Sequence, residues 1–264
     1  MRSLYAGSLS AGLRFPPHRV LRELPFEVYS YSGEQALPEQ VASIRSFLRH
    51  AGRPSKFIVV SDGSYSARSI ALLHALDPVV SVSPSTRWIP PAVPGEMHSY
   101  LIGHPTGRQL SLIMSLPRNS PALYLDSDVL FFPGAVDLPA LLSANAPAQY
   151  LPDCKLSGDE RLFRDPVEKK DPVNTGVLFL SQKLDWSLSI ERYLELHGLP
   201  DFFTNQTMTH LTMHANGGRP FDPKKFVLQL DDQFVYRDNY ADPNIVLRHY
   251  VNPVRHKFWT TLWR

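Results

Sequence analysis

The feature that most constrains the fold is an alternation of strand and helix patterns early in the chain. The strand patterns are residues 26–32, 57–60 and 79–82, and the helical patterns between them are residues 38–48 and 67–76. In the first helical stretch Val41, Ile44 and Leu48 form one apolar stripe. Strands separated by helices need crossover connections, which pair strands in parallel. The sequence therefore predicts an α/β fold with a mostly parallel central sheet flanked by helices.

A later apolar run, residues 122–132 (ALYLDSDVLFF), contains two aspartates. If the run continues as one strand, Asp126 and Asp128 point to the same face, because side chains at i and i+2 do so. Two neighbouring carboxylates in apolar surroundings need a cation or a hydrogen-bond network. A hard divalent cation such as Mg²⁺ or Mn²⁺ takes oxygen ligands. The alternative is that the strand ends at Leu125 and the aspartates open a solvated turn.

Polar residues also follow two other predicted strands. Tyr31 and Ser32 end the first strand, and Asp62 follows the second. In open α/β sheets ligands bind beyond the carboxyl ends of the strands. This placement favours a functional site at the edge that also holds Asp126 and Asp128.

Composition limits the classes of partner. The chain has 264 residues with 27 Lys and Arg against 25 Asp and Glu, which gives no electrostatic argument for a nucleic-acid partner. One cysteine, Cys154, excludes an intramolecular disulfide framework and indicates a reducing compartment. No apolar stretch approaches the roughly 20 residues that span a bilayer, and residues 1–12 lack a signal-peptide core. We expect a cytoplasmic protein.

We expect one domain, residues 25–264, preceded by an N-terminal arm, residues 1–24, that is rich in arginine. Proline-rich stretches at 79–105 and 117–152 predict long ordered loops, and the charged segment 152–172 predicts a mobile surface loop. Further helices are predicted at 107–116, 138–144, 186–196 and 203–213, and further strands at 174–180 and from 246.

Four motifs occur in a characteristic order. They are residues 123–132 (LYLDSDVLFF), 174–180 (NTGVLFL), 205–207 (NQT) and 249–259 (HYVNPVRHKFW). Together they resemble the motifs of GT-A glycosyltransferases, most closely the family 8 enzymes, over residues 26–259. Those enzymes carry a D-x-D, an N-[ST]-G-V strand, a polar-Gln motif on a helix, and a C-terminal His-x-x-Gly-x-x-Lys-Pro-Trp. The resemblance implies a Rossmann-like GT-A fold.

The chain departs from the family pattern in places. Asn252 stands where the family has glycine, Arg255 stands at the expected lysine position, and Lys257 comes two residues later. Phe258 replaces the proline, and Ser30-Tyr-Ser32 ends the first strand in place of the family's aspartate-containing start.

The resemblance implies roles for individual residues. Asp126, Asp128 and His249 would hold Mn²⁺ or Mg²⁺, with His256 as the competing histidine. The donor-binding residues it implies are Tyr31, Ser32, Asp62 and Arg108 on the nucleoside side, Asp126 and Ser127 in the D-x-D, and Arg255 and Lys257 at the phosphates. Asn174 and Gln206 would lie at the donor sugar and act in catalysis. Without the resemblance, Asp62 reads as a turn residue, Arg108 as a solvated helix residue and His249 as a core histidine.

The implied activity is metal-dependent transfer of a hexose from a nucleotide-diphosphate sugar, UDP before GDP, to an acceptor hydroxyl, with retention favoured by family analogy. The arginine-rich arm and the basic aromatic tail could touch an anionic membrane surface that holds a lipid-linked acceptor. Three alternatives stay open: a D-x-D phosphohydrolase using the later pair Asp231 and Asp232, a nucleotidyltransferase, and a non-catalytic nucleotide-sugar-binding protein.

Overall fold

A computed structural model describes residues 1–12, 22–143 and 145–262. The strands in these ranges are β1 (Glu23–Leu24), β2 (Glu27–Ser32), β3 (Arg53–Pro54), β4 (Phe57–Ser61), β5 (Val80–Pro84), β6 (Ala122–Asp126), β7 (Val129–Phe131), β8 (Gln149–Pro152), β9 (Val173–Leu180), β10 (Arg219–Pro220), β11 (Phe226–Val227) and β12 (Leu247–His249). The α-helices are α1 (Arg2–Gly12), α2 (Leu37–His50), α3 (Ala67–His74), α4 (Gly95–Gly103), α5 (Pro105–Met114), α6 (Leu138–Leu141), α7 (Ser187–Leu194), α8 (Thr204–Ala215) and α9 (Arg255–Leu262). Short 3₁₀ helices cover Glu34–Ala36, Ser85–Trp88, Pro133–Asp137, Glu160–Leu162, Pro166–Lys169 and Asn252–Val254.

The central sheet has seven strands in the order β10-β8-β9-β6-β2-β4-β5. The four strands β6, β2, β4 and β5 are parallel, and β9 runs antiparallel to both β6 and β8. The predicted mostly parallel sheet flanked by helices is confirmed. A small sheet, β11-β12-β7, lies beside it and pairs β12 antiparallel with β7.

Apolar side chains on both faces of the sheet form two large cores. Strand β6 shows the alternation directly: Leu123 and Leu125 enter one core, and Ala122 and Tyr124 enter the other. Each fully buried side chain of Leu or Phe size contributes about 1.5–3 kcal/mol relative to an exposed one. A rigid sheet of this kind fixes the positions of residues at its edge.

Several predicted boundaries change. The D-x-D run is not one strand, because β6 ends at Asp126 and β7 begins at Val129 after a turn. The proline-rich stretch 79–105 contains helix α4 as well as loops, and the helix predicted at 138–144 is the single turn α6. The charged segment 152–172 contains two 3₁₀ helices, and its mobility stays a prediction.

The N-terminal arm is partly helical. Helix α1 contacts α2, and the guanidinium of Arg2 pairs with Glu39 at 2.6 Å. Residues 13–21, which carry most of the predicted arginine-rich segment, lie outside the described residues. The boundary between an arm (1–24) and a domain (25–264) stays a prediction. In the part of the chain that the structure describes, no helix has the length and apolar character needed to cross a membrane.

Candidate functional site

Asp126 and Asp128 lie at the junction of the two sheets. Asp126 is the last residue of β6, and the turn at Ser127 and Asp128 leads directly into β7. The two aspartates lie together as expected. They do so because of a turn between two strands, and not because they alternate along a single strand. Asp128 is 5% exposed, whereas the side chain of Asp126 is 27% exposed.

His249 completes this group because β12 pairs with β7 and sets His249 opposite Val129. The His249 Nε2 lies 3.0 Å from Asp128 Oδ1 and 3.8 Å from Asp126 Oδ2. One candidate ligand atom from each of the three residues lies within 4.8 Å of the others. The competing His256 is exposed at the start of α9 and is not part of this group.

The imidazole of His249 is held by its other nitrogen. His249 Nδ1 donates to Asn174 Oδ1 at 3.1 Å, and the amide N–H of Gly176 donates to the same oxygen at 2.9 Å. Asn174 Nδ2 donates to Asp153 Oδ2 at 3.1 Å, which fixes which end of the amide faces the histidine. A hydrogen bond of this kind orients a metal-ligating imidazole. A Cβ at Gly176 would lie 2.2 Å from His249 Cε1, so only glycine leaves room for the ring.

The buried charges shift one another's protonation. Burial raises the pKa of Asp126 above its ordinary value, with Asp128 adding to the effect. Burial also disfavours the charge on Asp128, but His249 and Arg255 outweigh it and lower the pKa of that carboxyl. Burial opposes the charged imidazole, yet Asp128 and Asp126 raise the pKa of His249. The raised pKa widens the pH range over which His249 carries a second proton, and a cation bound at Nε2 would have to displace that proton.

Arg255 and Lys257, both expected at the phosphates, lie in different surroundings. Arg255 bonds Asp128 directly and its side chain is 48% exposed, so it lies at the cavity. Lys257 is 0% exposed and donates to the backbone carbonyl of Arg237 at 2.7 Å. A lysine whose ammonium is buried against backbone carbonyls does not reach the cavity, which corrects its expected role.

Asp126 is also held from the helix side of the sheet. Gln109 Nε2 donates to Asp126 Oδ1 at 2.9 Å, and the Tyr124 hydroxyl donates to the same atom at 2.8 Å. Asn205 Nδ2 in turn donates to Gln109 Oε1 at 2.8 Å. Side chains from helices α5 and α8 therefore help to position the Asp126 carboxylate.

These groups border a polar cavity of about 300 Å³. Its lining includes Asp126, Asp128, His249, Arg255, Asn174 and Gln206. Gln206, at the start of α8, donates to Asp153 Oδ2 at 3.3 Å and to the carbonyl of Ser157 at 2.7 Å. A larger cavity, about 670 Å³, lies near α1 and α2, but its lining contains none of the three candidate metal ligands.

The nucleoside-side candidates form a neighbouring group at the ends of β2 and β4. Arg108 Nη1 donates to the carbonyl of Asp62 at 2.8 Å. Burial, together with Asp62, raises the pKa of Tyr31 to about 12. Asp62 Oδ1 accepts from the amide of Ser64 at 2.8 Å, as its turn-residue interpretation predicted.

Ser32 and Ser127 are less favourably placed. Ser32 is 6% exposed and its hydroxyl is bonded to Gln40 and Tyr65 inside the protein. Ser127 lies half-buried in the D-x-D turn, outside the set of residues that line the polar cavity. Neither side chain has a contact that supports its expected donor role.

Sequence reasoning missed Gln109 and Asp153 as site residues. Gln109 follows Arg108 on α5, and Asp153 follows β8, a strand that the sequence did not reveal. Asp153 could have been identified only as a polar residue that follows a strand, and that would have required a prediction of β8. Gln109 carried no signal, because a glutamine on a helix is ordinarily a solvated residue.

Comparisons with solved structures place the fold. The chain resembles galactosyltransferase LgtC, solved in complex with donor and acceptor sugar analogs, with a TM-score of 0.58 and 16% identity over 90% of this chain and 95% of that one. It also resembles mouse xyloside xylosyltransferase 1 in its apo form (TM-score 0.55, 13% identity, 88% and 99% covered) and glycosyltransferase GlyE from Streptococcus pneumoniae (TM-score 0.56, 14% identity, 90% and 60% covered).

The sequence matches no protein-family model and no curated protein. The structural similarities nevertheless extend over about nine-tenths of the chain. The chain therefore has the GT-A fold of these glycosyltransferases, as the sequence resemblance predicted.

Proposed function

We propose that the chain is a metal-dependent glycosyltransferase that moves a hexose from a nucleotide-diphosphate sugar, preferably a UDP-sugar, to an acceptor hydroxyl. The observation that carries this proposal is the convergence of Asp126, Asp128 and His249 on one polar cavity in a GT-A fold. Fold alone does not define a reaction, so the chemistry of these side chains is what supports the assignment.

The three side chains fit a divalent cation. Two carboxylates and one imidazole offer oxygen and nitrogen ligands of the type that Mn²⁺ and Mg²⁺ accept. The hydrogen bond from His249 to Asn174 leaves Nε2, on the carboxylate side, as the ligand atom. When bound, the cation would neutralise charge on the diphosphate leaving group.

Arg255 supplies a second positive charge beside Asp128. Its side chain is half-exposed and borders the cavity, so it can move from the carboxylate to a phosphate oxygen when a donor enters. A guanidinium presents two parallel donors that match phosphate geometry. Positive charge placed where the leaving group develops its charge stabilises the transition state more than the ground state.

Gln206 is our candidate for the residue nearest the donor sugar. It borders the same cavity as the candidate metal ligands and donates to Asp153 and to the carbonyl of Ser157. A solved variant of LgtC replaces an active-site glutamine with glutamate, so a glutamine acts at the active site of that neighbour. Asn174, 7% exposed behind His249, acts as a positioning residue for the histidine.

Tyr31, Asp62 and Arg108 are our candidates for the nucleoside end. The β2–β6 register sets Tyr31 opposite Asp126, so this group lies beside the candidate metal site along the same sheet edge. A donor could then lie across the strand ends with its diphosphate at Asp126 and Asp128. Retention is the stereochemical outcome that the family resemblance favours.

The phosphohydrolase alternative requires Asp231 and Asp232 as a second acidic pair at the site, and their surroundings do not support that role. Asp232 is 1% exposed and paired with Arg248, and Asp231 accepts from the hydroxyl of Tyr240. Neither residue lines the polar cavity. A non-catalytic nucleotide-sugar-binding protein would use the same ligands, so turnover must be measured separately from binding.

A thermal-shift panel with UDP, GDP, CDP, ADP and UDP-sugars, each with and without Mn²⁺, tests the proposal. A ligand that binds only the native state raises the unfolding midpoint. We expect a metal-dependent rise with a uridine diphosphate, followed by transfer to an acceptor in a screen. Absence of a shift with every nucleotide would remove the proposal, whereas binding without turnover would favour the non-catalytic alternative.

A further inference from the structure

The loop between β11 and β12 exposes three consecutive apolar side chains. Phe234 is 92% exposed, Val235 46% and Tyr236 81%. Isolated apolar residues are common on protein surfaces, but a contiguous exposed patch marks an interaction site. We call residues 234–236 the aromatic tip.

Buried charged side chains hold the residues on either side of the aromatic tip. Arg248, 0% exposed, bonds both Asp232, at 2.8 Å, and Asp238, so one guanidinium joins the residues that flank the aromatic tip. The Tyr250 hydroxyl donates to Asp238 Oδ2 at 2.9 Å. These bonds close residues 232–238 into a compact unit at the protein surface.

A second buried cation supports the tip from inside. The ammonium of Lys257 bonds the backbone carbonyls of Val235 and Arg237 and lies 3.6 Å from Asp232. Arg248 therefore holds the carboxylates on either side of the tip, and Lys257 holds backbone carbonyls within residues 232–238. Burying two cations and two carboxylates carries a large desolvation cost. These contacts fix the position of the tip relative to the rest of the fold.

We propose that the aromatic tip inserts into the interfacial region of a phospholipid bilayer. Phenylalanine and tyrosine suit this region, because their rings are apolar and the tyrosine hydroxyl stays at the wet end. Exposed Arg237 follows the tip directly, and exposed His256 precedes Lys257, which holds the tip. These basic groups complement anionic headgroups. Asp231, also exposed, opposes them, but the Tyr240 hydroxyl bonds its carboxylate.

The shape of the patch favours a bilayer over a second copy of the chain. The tip offers three side chains on one protruding loop, whereas a stable protein interface buries about 800 Å² on each partner. A bilayer needs no complementary surface, only apolar side chains that reach past the headgroups. The tip meets that requirement.

The segment that carries the aromatic tip also borders the polar cavity. Leu228 and Leu230, on the segment that leads into the loop, line that cavity, and Arg255 lines it beside them. Phe202, 67% exposed, lines the cavity from the α8 side. Docking through the tip would bring the cavity mouth close to the headgroups.

The sequence predicted membrane contact through the arginine-rich arm and the basic aromatic tail, and that contact stays a prediction. In the tail the aromatic side chains of Phe258 and Trp259 are buried, at 0% and 6% exposed, whereas Arg255 and His256 are exposed. Most of the arginine-rich arm lies outside the described residues. Bilayer binding through the tip does not depend on glycosyl transfer, so it can be tested without donor, acceptor or metal.

Co-sedimentation with vesicles of phosphatidylcholine and phosphatidylglycerol measures the binding. The double variant Phe234→Ser, Tyr236→Ser should partition at least about tenfold more weakly, because burying one aromatic side chain contributes about a factor of ten or more. The control Val167→Ser removes another exposed apolar side chain, 64% exposed, away from the tip and should bind as the wild type does. The exposed positions leave the fold intact, which equal unfolding midpoints would verify.

A reporter variant provides a second measurement. On addition of vesicles, Tyr236→Trp should show a blue shift of emission and a quenching by brominated lipids that exceed those of the wild type, whereas Val167→Trp should show neither excess. Three results would overturn the proposal: no binding of the wild type to any vesicle, equal binding of the double variant, or vesicle-independent self-association that the double variant abolishes. The last result would assign the tip to a second copy of the chain.

Discussion

Replacing Arg248 with methionine removes the cation that pairs with Asp232 and Asp238 beneath the aromatic tip. Arg248 is 0% exposed, and its partners Asp232 and Asp238 are 1% and 3% exposed. The substitution keeps the apolar length of the side chain but leaves two buried carboxylates without their guanidinium. Removing one member of a buried ion pair costs about 3–5 kcal/mol, because the remaining charge stays desolvated.

The structure places the expected cost at the lower end of that range. Asp238 keeps hydrogen bonds from Tyr250, Thr261 and the amide of Tyr240, and Asp232 keeps Lys257 at 3.6 Å. We therefore expect Arg248→Met to lower the free energy of unfolding by about 3 kcal/mol. For a chain of this size that corresponds to a midpoint lowered by about 6–12 °C.

Urea unfolding followed by circular dichroism, with a thermal scan beside it, measures the effect. The matched control is Lys225→Met, which removes a partly exposed cation 3.9 Å from Asp137 and should change stability by less than about 1 kcal/mol. A loss below about 1 kcal/mol for Arg248→Met would refute the inference that this ion network is buried and essential to the loop.

Three further predictions concern the candidate metal site. His249→Ala should weaken Mn²⁺ binding, measured by calorimetry, by about tenfold or more, whereas His256→Ala should leave it unchanged; the opposite pattern would move the ligand to His256. Gly176→Ala adds a methyl group 2.2 Å from His249 Cε1 and should lower Mn²⁺ affinity without removing any ligand atom; unchanged affinity would show that the ring is free to move. Mn²⁺ affinity should rise with pH, because the raised pKa of His249 means that the metal-free protein holds a proton there above the ordinary value of about 6.5. A metal affinity that does not change with pH would contradict the assignment. Protonation of His249 also stabilises the metal-free fold at pH values below its ordinary pKa, and this contribution is lost as the pH rises through the raised pKa.

The alternating pattern of strands and helices predicted the sheet because period and chain order are local properties. Helix α4 was missed because glycine and proline flank its short apolar run, and those residues ordinarily indicate loops. The two aspartates were correctly expected to lie together, although the turn that joins β6 and β7 does it. A strand pattern cannot show where pairing passes from one sheet to another.

The surroundings of the site depend on contacts between distant segments. Gln109 contacts Asp126 and Asn174 contacts His249, while Asp153 holds Asn174 in turn, and no sequence spacing encodes those contacts. Lys257 illustrates the opposite error. Its position in a motif suggested a phosphate contact, but the backbone of α9 turns its ammonium towards buried carbonyls.

Calorimetric titration of UDP into the wild type and into Asp128→Ala, each with and without Mn²⁺, tests the central claim most directly. We predict that the wild type binds UDP tightly only with the metal and that Asp128→Ala, still folded by circular dichroism, loses that metal-dependent binding. Tight binding by the variant in the presence of Mn²⁺, or equal binding by the wild type with and without metal, would contradict the assignment of Asp126, Asp128 and His249 as a metal site for a nucleotide-sugar donor.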